Sequence, residues 1–87
     1  MKRKPGFILQ AIGEETYAVA VTPASAKVGS MIRLNPTGAF LFALLEEEQT
    51  EESCLAALLE RYETDPAVAK ADLAAFLEGL READLLA

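Results

Sequence analysis

The chain has no histidine, no tryptophan and a single cysteine among its 87 residues. Without histidine it lacks the commonest metal ligand and the commonest general base near neutral pH. One thiol, Cys54, excludes an intramolecular disulfide and argues against a cysteine-based metal site. Cations are scarce: eight Lys and Arg stand against fourteen Asp and Glu, for a net charge of −6. A protein that binds nucleic acid by releasing counterions needs a basic face. Here three of the eight cations crowd into Lys2-Arg3-Lys4 and the rest are scattered, so the charge argues against nucleic acid as a partner. Long apolar runs are missing too. Phe7–Ile12 is broken by Gln10 and leads into Gly13-Glu14-Glu15, too short for a signal core and far too short to span a membrane. The expected location is cytoplasmic, with no membrane partner. A glycine-rich phosphate loop is absent, since Gly29, Gly38 and Gly79 stand alone.

What is present suits one small domain. The apolar fraction, 52%, is enough for a core. The expected domain covers residues 5–87, with residues 1–4 as a flexible basic tail. Phe7–Ile12 and Thr16–Val21 read as strands; in the second, Tyr17, Val19 and Val21 alternate with Ala18 and Ala20, a period of two. The Gly13-containing connection suits an antiparallel hairpin. Thr22–Gly29 carries Pro, Ser and Gly and reads as a loop or wing. Met31–Leu34 is the third strand and runs straight into a helix start. Asn35 is a good N-cap, because its side-chain oxygen accepts from an unpaired first-turn N–H. Pro36 suits the first helical position, where its missing N–H costs nothing.

The first helix is expected from Pro36 to Glu46. It is apolar nearly all round and therefore central. Thr50 caps the second helix, whose Leu55, Leu58, Leu59 and Tyr62 form the stripe of a half-buried helix. Asp65 with Pro66 repeats the start signal for the third helix, expected to end near Ala83. Its core stripe is Ala69, Leu73, Phe76, Leu77 and Leu80. On the other side lie Ala67, Ala71, Ala74 and Glu78, with Lys70 and Arg81 beside them. Two readings of those alanines stay open: helix propensity on a solvent face, or a shallow shelf on which another backbone lies closely. Leu85 and Leu86 are expected to fold back onto the core. The fold class is α+β, winged helix-turn-helix-like: a three-stranded antiparallel sheet followed by three helices.

Catalytic signatures are lacking. Nucleophilic catalysis needs an activated nucleophile, and Glu51, Glu52 and the missing histidine oppose thiolate formation at Cys54, which reads as a small filler. Glu46–Glu48 and Glu51–Glu52 are helix neighbours that point apart and read as a solvated face. No enzyme activity, cofactor or metal is expected.

The order strand, strand, loop, Met31-Ile32-Arg33-Leu34-Asn35-Pro36-Thr37-Gly38-Ala39, then Thr50-Glu51-Glu52, then a long helix ending Leu80-Arg81-Glu82-Ala83-Asp84-Leu85-Leu86 resembles the PqqD family, over about Pro5 to Leu86. Members assist in making the redox cofactor pyrroloquinoline quinone, and relatives serve other peptide-modifying systems as recognition elements for ribosomally made, post-translationally modified peptides. Where the family often has glycine, this chain has Asp84, which tolerates left-handed backbone better than most residues. The resemblance implies a non-catalytic peptide chaperone. It would bind a precursor's leader segment as an added strand along the third strand, in the cleft against the third helix, and present it to a modifying enzyme, a radical S-adenosylmethionine protein of SPASM type. The positions implied here are Met31, Ile32 and Arg33, facing Lys70, Ala71 and Ala74. Arg33, Lys70 and Arg81 would favour an acidic leader. The alternatives are a dimerisation or adaptor module of a maturation complex, in which the strand pairs with a second copy as a homodimer, a DNA-binding winged helix, and a reactive-thiol protein acting through Cys54.

Overall fold

A computed structural model describes residues 1–21 and 31–87. The expected loop Thr22–Gly29 lies outside the described residues. The order is β1 (Phe7–Ile12), β2 (Glu15–Ala20), β3 (Met31–Leu34), α1 (Pro36–Leu44), α2 (Glu51–Arg61) and α3 (Pro66–Glu82). The strands form one antiparallel sheet in the order β1-β2-β3, so the expected α+β architecture holds. Gly13 and Glu14 make a two-residue turn between Ile12 and Glu15, which pair with each other. Gly13 has φ +65°, the positive value a type II′ hairpin turn requires at its first central residue.

All three helix starts follow from their caps. Asn35 Oδ1 accepts from Gly38 N–H at 2.7 Å, with Pro36 in the first turn. Thr50 and Ser53 exchange reciprocal side chain–backbone bonds of 3.0 and 2.9 Å, a capping box with serine in the place of the usual Glu or Gln. Asp65 Oδ1 accepts from Ala67 N–H at 2.8 Å. α3 ends in a Schellman motif: Asp84 takes φ +60°, Asp84 N–H donates to Arg81 O and Leu85 N–H to Leu80 O. The aspartate at the usual glycine position is thus accommodated, and Lys4 Nζ lies 2.9 Å from its carboxylate. Leu85 turns back into the core as expected.

α1 is the central helix: Leu41, Phe42 and the adjoining Leu45 are fully buried, together with Leu77 and Cys54. It stops at Leu44 rather than Glu46. Acidic residues oppose the negative end of a helix dipole, and its last carbonyls bond elsewhere. The inward face of β2 is the small one. Ala18 and Ala20 are buried while Tyr17 and Val19 are half-buried, since a helix packed on the sheet leaves room only for methyl groups.

Residues 1–4 are not a free tail. Arg3 is 8% exposed. Its Nε donates to Phe42 O at 2.9 Å and its guanidinium lies 4.6 Å from the Phe42 ring centroid. Its backbone N–H donates to Leu45 O, and Arg3 bridges Leu86 in antiparallel fashion. Lys4 N–H donates to Leu85 O, and Ala87 N–H to Lys2 O. The physical reason is the end of α1. Its last carbonyls need donors, and an arginine supplies them along with a stem that packs on Phe42.

Candidate functional site

β3 is an edge strand, pairing with β2 through Val19↔Met31, Ala18↔Ile32, Tyr17↔Arg33 and Thr16↔Leu34. Among the described residues no strand pairs with its other edge. Alternate residues of an antiparallel strand turn their N–H and C=O to opposite neighbours, so every second residue of β3 offers both groups outward. The register fixes the side chains. Ile32 shares the inner face with the fully buried Ala18, whereas Met31, 50% exposed, and Arg33 share the outer face with Val19 and Tyr17. Arg33 Nε stands 3.9 Å from Glu15 Oε2.

A groove of 360 Å³ opens where β3 ends. One wall is the start of α1, with Asn35, Thr37, Gly38 and Leu41; the other is α3, with Asp72, Ala75 and Phe76. Gly38 sets the width. A Cβ there would lie 3.0 Å from Asn35 Oδ1 and 3.2 Å from Phe76 Cε1, so the two walls approach closely only because that residue has no side chain.

Of the six expected positions, Met31, Ile32 and Arg33 do lie on the open edge, but only Ile32 turns its side chain toward the helices. Lys70 and Ala74 are brought together elsewhere, in a 310 Å³ groove with Leu73 and with Glu51, Glu52 and Leu55 of α2. Ala71 is exposed and lines neither groove. Arg81 lies 3.6 Å from Glu51 and 3.8 Å from Glu78. The α3 residues that the sequence reading did not assign to the cleft are Asp72, Ala75 and Phe76. Phe76 had been placed in the core stripe, and its half-exposed position on the border of that stripe is the signal that could have found it.

The cysteine is fully buried. Burial pushes the Cys54 thiol up, with Glu51 adding to the rise and the terminal ammonium working against it, as suits a space-filling residue rather than a nucleophile. Among the described residues no group of acidic or sulfur side chains is arranged to hold a metal ion, and no helix is long and apolar enough to cross a membrane.

Comparison with known proteins places these features in a family. The family model described as coenzyme PQQ synthesis protein D (PqqD) matches residues 17–86. No curated protein matches the chain. Among solved structures, TbiB1 in complex with the TbiA(beta) leader peptide superposes with a TM-score of 0.74 at 26% identity, over 99% of this chain and 94% of that one. Lasso peptide synthetase B1 complexed with the leader peptide superposes with a TM-score of 0.69 at 19% identity, over 97% and 93%. At that identity the second likeness shows the fold alone.

Proposed function

This chain belongs to the PqqD family, and on that premise we propose that it is a non-catalytic carrier of a precursor peptide. It holds the leader segment as a fourth strand on the outer edge of β3, lays leader side chains into the groove between α1 and α3, and presents the peptide to a modifying enzyme of the radical S-adenosylmethionine, SPASM-containing class. The observation that carries the reading is the unpaired edge of β3 beside a groove. The likeness to TbiB1, described with a leader peptide, supports it.

The energetics assign roles to the two parts. Each backbone hydrogen bond nets about 0.5–1.5 kcal/mol, and ordering each leader residue costs about 1–2 kcal/mol. The ladder alone therefore sets direction and register without giving much affinity. A large apolar leader side chain burying about 150 Å² contributes roughly 4 kcal/mol. Ala75 and Phe76 offer it apolar walls, and 360 Å³ lies near the low end of the roughly 300–1,000 Å³ of small-ligand pockets, which suits side chains better than a large cofactor.

A proline scan of β3 tests this, read by fluorescence anisotropy with labelled leaders from short reading frames beside the gene. Proline where the N–H points outward removes binding and leaves the fold intact. Proline where the N–H pairs with β2 destabilises the domain instead. Unchanged leader affinity in every folded variant refutes the strand-addition reading. We assign self-pairing to the same edge when no leader is present. In size-exclusion chromatography leader should then convert a homodimer to a one-to-one complex, and a dimer that persists with leader bound places self-association elsewhere.

A further inference from the structure

Among the described residues Asp72 is the only charged one lining the groove between α1 and α3. It also lines an adjoining cavity of 240 Å³, to which Tyr62, Glu63 and Thr64 contribute. Thr37 is the other residue common to both, so Asp72 and Thr37 form the saddle between them. Two carboxylates follow one another along this trough, and among the described residues no Lys or Arg lines either part of it.

Elsewhere, among the described residues, some carboxylates are paired and others, such as Glu14, Glu47, Glu52, Glu60 and Glu82, are not. Glu15 faces Arg33, Glu51 and Glu78 face Arg81, Glu46 faces Arg3 and Asp84 faces Lys4. Asp72 and Glu63 take part in none of these pairs. The opposing potentials nearby are the N-terminus of α1, worth about half a positive charge, and Arg61, whose guanidinium lies 5.3 Å from the Tyr62 ring centroid. At the helix start Asn35 already accepts from Gly38 N–H, and Pro36 has no N–H to offer. Asp72 outweighs the remainder of that dipole, and Glu63 offsets Arg61.

We infer that this trough selects a leader segment carrying a Lys or Arg, whose cationic end pairs with Asp72 while its methylene stem lies against Ala75 and Phe76. Long basic side chains suit a site with apolar walls and one acidic rim. The inference rests on the strand-addition reading and reverses the charge preference suggested by the sequence. Arg33 and Arg81 face carboxylates of the chain itself, and Lys70 lines a groove with Glu51 and Glu52. Asp72 is a specificity residue for the bound peptide and takes no part in chemistry.

The test selects phage-displayed random dodecapeptides on the full chain as wild type, Asp72→Asn and Asp72→Lys. Position 72 is an exposed site within α3, and circular dichroism verifies the fold of each variant. The wild-type pool should be enriched in Lys or Arg at one register position. Asp72→Asn should abolish that enrichment and weaken the wild-type consensus peptide by about threefold to fivefold, the range of an exposed ion pair. Asp72→Lys should turn the enrichment to Asp or Glu. A consensus lost on β3 proline substitution but indifferent to both Asp72 variants overturns this inference alone. A wild-type pool without consensus, or one insensitive to β3, overturns the strand-addition reading and the inference with it.

Discussion

Two glycines in helices should respond to alanine with opposite signs. At Gly38 the new methyl group meets Asn35 Oδ1 at 3.0 Å and Phe76 Cε1 at 3.2 Å. Asn35 Oδ1 cannot yield without giving up its 2.7 Å bond to Gly38 N–H, and losing an N-cap costs about 1 kcal/mol. Phe76 packs against the core and can yield only in part, so overpacking adds roughly 1–3 kcal/mol. Against this stands a gain in helix propensity of at most about 1 kcal/mol, which is smaller in a first turn. Gly38→Ala should therefore lose about 1–3 kcal/mol, equivalent to roughly 4–8 °C of Tm for each kcal/mol in a domain this small. At Gly79 a Cβ meets nothing within 4 Å. Gly79→Ala should gain about 0.5–1 kcal/mol by restricting the unfolded chain. Urea denaturation followed by circular dichroism reads both, as shifts of the midpoint at constant slope. A Gly38→Ala protein as stable as wild type would refute the claim that this glycine sets the approach of α1 to α3.

Three further outcomes follow from particular contacts. Arg3→Met keeps the packed stem but removes a buried charged hydrogen bond, about 1.5–3 kcal/mol, and the contact with Phe42, about 0.5–2 kcal/mol; a net loss of about 2–3 kcal/mol is expected in urea, and wild-type stability would mean that residues 1–4 are a free tail after all. Asp84→Val puts a β-branched residue in the left-handed position that closes α3, costing roughly 1–2 kcal/mol, whereas Asp84→Gly should fall within about 0.5 kcal/mol of wild type, because relief of backbone strain offsets the weak Lys4 pair. Burial raises the Cys54 thiol pKa in the folded state, so the unfolded chain loses this proton at lower pH than the folded one does. That contribution is complete below the unfolded thiol pKa and is lost as pH rises through the folded value; the alkaline decline of wild-type stability should flatten in Cys54→Ala, and identical slopes would show that the thiol is not buried.

Local signals carried most of the fold. The caps at Asn35, Thr50 and Asp65 placed three helix starts to the residue, because capping is a contact between neighbours in sequence. The hairpin followed from Gly13 and the alternation in β2 for the same reason. Residues 1–4 were misread because three adjacent cations look solvated when nothing local reveals that the carbonyls of Phe42 and Leu45 need donors. The groove that each side of α3 lines was not legible for a geometric reason. A helical stripe has two borders, and Ala69, Leu73, Leu77 and Leu80 define its centre without saying which border adjoins the sheet. Lys70 and Ala74 lie on one border, Asp72 and Phe76 on the other. The path of the chain through α2 decides between them, and it turns the Lys70 border toward Glu51 and Leu55.

The sheet has two outer edges, and edge exposure alone would favour the wrong one. β1 is six residues long and carries the exposed Ile8, Leu9 and Ile12, whereas β3 has four residues. A longer, more apolar strand is the better template for nonspecific pairing. Backbone pairing nearly breaks even on its own, however, so specific capture depends on what side-chain site lies beside the ladder. At the start of β1 the neighbouring cavity is lined by Lys2, Arg3 and Pro5. Residues 2–4 already bond to 85–87, and Pro5 has no N–H with which to extend a ladder. At the end of β3 the neighbouring groove is walled by side chains of two helices whose close approach Gly38 permits at Phe76. Under the proposed function the short strand is therefore the receptor edge: it gives a guest few hydrogen bonds, enough to fix its register, and leaves recognition to the groove.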